Sequence, residues 1–157
     1  MSSSTYHLRI KSVRLSDAGR YECEVGDTVQ ISKVSELIVI ETDPTCTSNT
    51  SSNAGMVGDV IKYTCSLKYN GTWAPSMSWL NETVELQAKD ESQGGTAKFT
   101  TTITLMPWDN GRNYSCRTVG YPKVGTSGVN EEVGLPVDND TYTEMCTMPT
   151  LTVRGEY

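Results

Sequence analysis

The sequence predicts an all-β protein, and three observations support that class. Thr-rich stretches such as residues 99–105 favour strands, because β-branched side chains fit a pleated surface. Apolar and polar residues alternate over residues 5–13 and again over residues 58–67. No stretch shows the apolar periodicity of a helix. At 157 residues, the chain has room for one ordinary domain or two small ones.

The composition disfavours several kinds of partner. The formal net charge of −6 argues against nucleic acid, because phosphate binding needs clustered Lys and Arg. No uninterrupted apolar run approaches the roughly 18–20 residues that span a bilayer. The first four residues lack the basic and apolar regions of a signal peptide. We therefore expect that both ends of a longer protein are missing, and that any membrane attachment lies in a missing segment.

Cysteines and glycosylation sequons together indicate the secretory pathway. No two cysteines form a CxxC pair and His7 is the only histidine, so the spacing supports neither a zinc site nor a redox site. We expect no metal and no cofactor. Asn-x-Ser/Thr sequons exceed the number expected by chance, although accident in a Thr-rich chain remains the alternative for any single site. The predicted glycosylation sites are Asn49, Asn70, Asn81, Asn113 and Asn139.

The first part of the chain reads as three strands. Residues 5–13 alternate with Tyr6, Leu8 and Ile10 on one face, which predicts a half-buried strand. A turn and a second strand over residues 20–25 follow. Gly26-Asp27 is a tight hairpin signal, and its partner strand runs from about residue 28 to residue 40.

A family resemblance becomes specific in this segment. The segment contains the pattern Leu8-x-Ile10-x-x-Val13-x-x-x-Asp17-x-Gly19-x-Tyr21-x-Cys23, which resembles the E strand, E–F corner and F strand of a variable-type or intermediate-type immunoglobulin domain. The resemblance implies that Tyr21 forms a tyrosine corner, whose hydroxyl bonds to the turn backbone. It also implies that Cys23 is one half of an inter-sheet disulfide. Its partner would precede Met1, so we expect truncation to leave Cys23 unpaired.

A second pattern resembles a complete immunoglobulin domain. Cys65, Trp79 and Cys116 have the family's Cys–Trp–Cys spacing, which implies that Trp79 packs against the B–F bridge. Tyr114 occupies the tyrosine-corner position. One more residue separates Asp109 from Cys116 than separates the matching pair in the first pattern. This corner resembles constant-type (C2-like) domains of adhesion receptors more than variable ones.

The resemblance implies an antiparallel immunoglobulin-like β-sandwich with two disulfides. Cys65–Cys116 would join strands B and F, and Cys46–Cys146 would join the neighbouring strands A and G. We predict a truncated domain with strands E, F and G over residues 1–41, a linker over 42–45 and a complete domain over 46–157. An extended F–G loop is expected over about residues 120–142, because this stretch is rich in Gly and Pro.

The resemblance implies a non-catalytic, extracellular module of a cell-surface adhesion or immune-type recognition receptor. The expected partner is a protein ligand or a homophilic copy that contacts a sandwich face or the F–G loop, since loops on rigid scaffolds carry binding. We expect no small-molecule substrate and no catalytic residue. Glu131-Glu132 and Asp138-Asn-Asp140 are better explained as solvated loop residues than as a base pair or a calcium loop.

Two alternatives stay open at this stage. The chain could be an ectodomain segment of a receptor enzyme, which only sequence beyond its C-terminus would distinguish. It could also be a structural immunoglobulin module of the extracellular matrix. Intracellular muscle-type arrays are disfavoured, because sequons and disulfides belong to the secretory pathway.

Overall fold

Strands dominate the regular structure. The computed structural model describes residues 8, 10–22, 34–121, 123–124 and 143–155, and these contain thirteen strands, two 3₁₀ turns and no α-helix. The strands are β1 (Gly19–Tyr21), β2 (Ser35–Leu37), β3 (Val39–Ile40), β4 (Thr45–Ser48), β5 (Ala54–Met56), β6 (Val60–Asn70), β7 (Ser78–Asn81), β8 (Val84–Leu86), β9 (Lys89–Asp90), β10 (Thr96–Thr104), β11 (Tyr114–Val119), β12 (Thr143–Thr147) and β13 (Thr152–Arg154). The 3₁₀ turns are Leu15–Asp17 and Pro107–Asp109.

Two antiparallel sheets form the main body. One has the order β3-β6-β10-β9, with β4 also paired to β6, and the other has the order β12-β11-β7-β8. Constant-type immunoglobulin domains have strand D and lack C′, whereas variable-type domains add C′ and C″. Here β9 lies at the D position and β8 at the C′ position, so the layout lies between these two types. The all-β immunoglobulin-like prediction is confirmed.

The core follows from the alternation in β6. Every second residue from Ile61 to Leu67 is buried, and the residues between them are less buried, as expected when successive side chains point to opposite faces. These side chains meet those of β11 and β7 in one cluster. The ring of Tyr63 lies 5.5 Å from that of Trp79 and 5.1 Å from that of Tyr114. Aromatic packing between the sheets therefore fills the centre.

Strand G, which the family resemblance places at Cys146, is divided into two. β12 pairs with β11, whereas β13 pairs in parallel with β5. Pro149 lies between them, and it cannot donate a ladder hydrogen bond. The Asn53 side chain donates to the Pro149 carbonyl at 2.5 Å. Met148 and Leu151 on either side remain buried in the main core, so the chain changes pairing partner without leaving the core.

The first segment keeps a small core of its own. β1 and β2 form an antiparallel pair, and Val13, Leu37 and Val39 are buried together beside them. The strand predicted over residues 5–13 differs from the structure. Of its described residues, 8 and 10–13, none is in a strand, and Leu8 is 56% exposed. The chain bends at residues 11 and 12, which breaks the alternation and leaves Val13 as the buried contact.

The first segment docks on the β6–β7 turn of the larger sandwich. The Asn70 side-chain amide donates to the Leu15 carbonyl at 2.8 Å, and the Thr72 backbone N–H donates to the Glu36 carboxylate at 2.7 Å. The Thr72 hydrogen bond lowers the pKa of Glu36. Ile40 pairs with Tyr69 and is fully buried in the larger core. The domain boundary, with a first domain that ends at residue 41 and a linker over residues 42–45, stays a prediction. Residues on both sides of this boundary donate backbone hydrogen bonds to β6.

Gly71 allows this docking, and its substitution tests it. Its φ is +147°, and an added Cβ would lie 3.0 Å from the Ile38 Cγ1 and 3.3 Å from the Ile38 Cα. Gly71→Ala should therefore destabilise the protein by about 1–3 kcal/mol and speed limited proteolysis near residues 34–43. Gly58→Ala is the control, because φ is +90° there but no atom lies within 4 Å of the new Cβ. Equal cleavage of both variants near residues 34–43 would contradict the docking role.

Candidate recognition surface

Two neighbouring disulfides join the two sheets. The structure joins Cys65 to Cys116 and Cys46 to Cys146, the same pairs that the family resemblance implies. Cys46 lies opposite Cys65 across β4 and β6, and Cys116 lies opposite Cys146 across β11 and β12. The Cys65 and Cys146 sulfurs are 3.9 Å apart. The three sulfurs that cluster at one point are all oxidised in bridges, which leaves no thiolate to bind a metal. Cys23 lies outside the described residues.

Trp79 anchors the centre of the second sheet. Its side chain is 0% exposed, and it lies opposite Cys116 in the ladder between β7 and β11. The indole N–H donates to the Phe99 carbonyl of the facing sheet at 3.0 Å. A buried indole nitrogen needs such a partner. Trp79 thus fixes the distance between the sheets as well as filling the space between them.

The two predicted tyrosine corners differ. The Tyr21 hydroxyl donates to the Asp17 carbonyl at 2.5 Å, as the sequence predicts. The Tyr114 hydroxyl is buried and has no hydrogen-bond partner of good geometry in the described chain, which departs from the expectation. The second corner has one residue more than the first, and there the Asp109 carbonyl accepts the Arg112 backbone N–H at 3.1 Å. Burial raises the pKa of Tyr114 to about 12.

The described sequon asparagines occupy different environments. Asn49 and Asn113 are exposed and use their side-chain oxygens as acceptors, from the Lys62 backbone and the Thr150 hydroxyl respectively. Asn81 is half-buried at the end of β7. Asn70 is exposed but donates its amide to the docked first segment. Asn139 lies outside the described residues, and glycosylation at all five sites stays a prediction.

The start of the predicted F–G loop is fastened to the first sheet. Lys123 forms a bridge with Ile40, and the Val124 N–H donates to the Ile40 carbonyl at 3.0 Å. The Lys123 ammonium also contacts Asp43 and lies 3.8 Å from Glu144 on β12. The Lys123 ammonium lowers the pKa of Asp43, whereas burial raises that of Glu144. Residues 122 and 125–142 of the loop lie outside the described part of the chain.

The outer face of the β12-β11-β7-β8 sheet adjoins this loop and carries the side chains best suited to recognition. Met145 is 58% exposed and lies opposite Arg117, which in turn lies opposite Ser78. The Ser78 hydroxyl donates to the Glu85 carboxylate at 2.7 Å. Arg117 forms no ion pair with the described residues. Met and Arg are enriched at the centres of protein interfaces, so we name Met145, Arg117, Ser78 and Glu85 the recognition face.

The recognition-face residues were absent from the sequence-based site. A signal for Arg117 existed, because it follows the inward Cys116 and must therefore point outward. Met145 precedes Cys146 and follows the same rule. Their position opposite each other depends on the register between β11 and β12. The long interval between these strands hides that register in the sequence.

Two sheets joined by a buried bridge, with a tryptophan packed against it, define an immunoglobulin domain. The chain belongs to the immunoglobulin superfamily. It is 31% identical over 143 residues to human junctional adhesion molecule B, a match that covers 74% of this chain and 44% of that protein. It is 29% identical over 111 residues to the Xenopus laevis protein named cell adhesion molecule-related/down-regulated by oncogenes, covering 70% of this chain and 9% of that protein.

A solved structure supports the same fold. The full ectodomain (Ig1-Ig3) of mouse nectin-like molecule 4 matches with a TM-score of 0.51 and 16% identity, covering 90% of this chain and 44% of that one. No protein-family profile matches the chain. The chain spans less than half the length of each of the three matched proteins. In the part of the chain that the structure describes, no helix has the length and apolar character of a membrane span.

Proposed function

We propose that the chain is a non-catalytic, protein-binding module of a cell-surface adhesion molecule. The observation that carries this proposal is the 31% identity to junctional adhesion molecule B across 143 residues. The second adhesion-related match supports it. Two disulfides also suit an oxidising extracellular setting, where such bridges persist.

We place the binding surface on the recognition face. Its sheet is held rigid by Trp79 and by both bridges, so the face is pre-organised for a partner, which limits the entropy lost on binding. Met145 offers apolar contact beside the charge of Arg117, which has no ion-pair partner among the described residues. A partner that supplies an apolar patch and a carboxylate would satisfy both side chains. The predicted F–G loop over about residues 120–142, which connects β11 to β12, is the second candidate for contact with the partner.

A charge-reversal variant tests the placement. Arg117→Glu combined with Met145→Glu should abolish binding, because it puts two carboxylates where the partner meets an apolar and a cationic group. The fold should persist, since both side chains are exposed. The assay is aggregation of beads coated with the glycosylated chain, together with binding of soluble human junctional adhesion molecule B to the coated beads. Wild-type beads should show at least one of these interactions.

The chain supplies a matched control for that variant. Arg154 lies opposite Met56 across β13 and β5, and Met56 is 53% exposed. Arg154→Glu with Met56→Glu therefore makes the same chemical change on a different edge of the sandwich. It should leave binding unchanged. The placement is wrong if both double variants lose binding equally, and the adhesion proposal fails if wild-type beads bind neither probe.

A further inference from the structure

Four of the five lysines of the larger sandwich lie on one surface, the exception being Lys123 at the start of the F–G loop. Between residues 46 and 121 the chain contains four lysines, Lys62, Lys68, Lys89 and Lys98. In β6 the inward residues run from Ile61 to Leu67 in steps of two, so Lys62 and Lys68 point outward. The ladders place the other two on the same outer face of β10 and β9. We call this surface the lysine face.

Each of these lysines has a hydroxyl residue directly opposite it. Lys62 pairs with Thr102, Lys68 with Thr96 and Lys98 with Ser66, all between β6 and β10. Lys89 pairs with Thr100 between β9 and β10. Ammonium groups and hydroxyls therefore alternate over three neighbouring strands, and of these hydroxyl residues Thr100 is buried whereas Thr102, Thr96 and Ser66 reach the surface. Lys62 and Lys68 are six residues apart on one strand, about 20 Å at the rise of an extended chain.

One carboxylate organises the lysine face. Glu91 lies 3.3 Å from the Lys89 ammonium, 3.5 Å from that of Lys98 and 3.9 Å from that of Lys62. Hydrogen bonding to Lys89 is the main cause that lowers the pKa of Glu91. Three ammoniums around one carboxylate leave an excess of positive charge. The chain as a whole has a formal net charge of −6. The lysine face is therefore a positive patch on a protein whose net charge is negative.

We propose that the lysine face binds a sulfated polysaccharide. Its charges are spread over the open face of a sheet, which suits a long polyanion with repeated sulfates better than a single phosphate in a pocket. Lysines act as point charges, and the accessible hydroxyls of Thr102, Thr96 and Ser66 supply donors for sugar and sulfate oxygens. The four lysines sit in rows of Thr and Ser with no large apolar side chain among their cross-strand partners, so the face lacks a group for insertion into a lipid layer.

The site lies on the opposite sheet from the recognition face and therefore goes beyond the proposed adhesion function. Asn49 lies at its rim, because its backbone and side chain both bond to the Lys62 backbone. A glycan at Asn49 would border the polysaccharide. The lysine face should bind whether or not the recognition face is intact, which separates the two proposals.

Two variants with opposite expected effects and one control variant test the lysine face. Binding of the glycosylated chain to immobilised heparin is measured at about 50 mM salt, where exposed charges are weakly screened. Lys62→Gln with Lys98→Gln should weaken binding by roughly tenfold, because two attractive charges are lost. Glu91→Gln should strengthen binding by roughly threefold, since it removes the competing carboxylate. Arg20→Gln with Arg154→Gln is the control with the same change in net charge, and it should bind like wild type.

Further probes distinguish the ligand class. Fully desulfated heparin should not bind, and binding to heparin should fall as salt is raised towards about 500 mM. The proposal is overturned if wild type does not bind heparin, if the arginine control weakens binding as much as the lysine variant, or if Glu91→Gln binds more weakly. Equal affinity for short duplex DNA or for phosphatidylserine vesicles would show general charge attraction and would also overturn it.

Discussion

Replacing Cys65 and Cys116 by alanine will destabilise the sandwich by about 4 kcal/mol or more. The bridge closes a separation of 51 residues, and the loss of that restraint in the unfolded chain accounts for about 4 kcal/mol. Both cysteines are also fully buried in the main core, so the lost sulfur contacts add to the cost. Guanidinium unfolding of the glycosylated protein measures the difference in free energy of unfolding.

The other bridge is the matched control. With Cys65–Cys116 intact, the shortest path from Cys46 to Cys146 through that bridge has 19 residues (65 − 46) plus 30 residues (146 − 116), or 49 in all. Its entropic contribution is therefore also about 4 kcal/mol rather than the larger value for a separation of 100. Cys46 and Cys146 are only half-buried, so their removal should cost less. A greater loss from the outer pair would contradict this account.

The central fold was predictable because its determinants are local or have fixed spacing. The alternation around Cys65 gives β6 directly, and the spacing from Cys65 through Trp79 to Cys116 gives the two facing sheets. These patterns are properties of single strands and their order. A sequence shows them without any knowledge of pairing register.

Features that depend on long-range contacts were not predictable. Asn70 reads as a sequon, yet its amide bonds to Leu15, which lies 55 residues away in the chain. Lysines at four scattered positions form one face only after β6, β10 and β9 pair in register. In the second corner, which is one residue longer, the Asp109 carbonyl accepts the Arg112 backbone N–H and the Tyr114 hydroxyl lacks the bond that the tyrosine-corner pattern implies.

Trp79→Ala will cost about 3–5 kcal/mol of stability, the usual range for removing a buried large aromatic side chain. The side chain fills the space beside the Cys65–Cys116 bridge and stacks with Tyr63. Trp79→Phe should cost less stability than Trp79→Ala, because it keeps an aromatic ring in the core. It still loses the hydrogen bond to the Phe99 carbonyl. That carbonyl would then lack its indole donor, a loss of about 1–3 kcal/mol. The gap between the two variants separates packing from hydrogen bonding.

Trp108→Ala is the control, because it removes the same side chain from the E–F corner, where Trp108 is 63% exposed. Its effect should stay within about 0.5 kcal/mol. Thermal and guanidinium unfolding of the three variants, each with both disulfides verified by non-reducing peptide mapping, gives the comparison. If Trp79→Ala and Trp108→Ala had similar costs, the tryptophan would not hold the sheets together. Loss of recognition-face binding by Trp79→Phe in a protein that remains folded would further show that Trp79 positions β7 and β11 beneath that face.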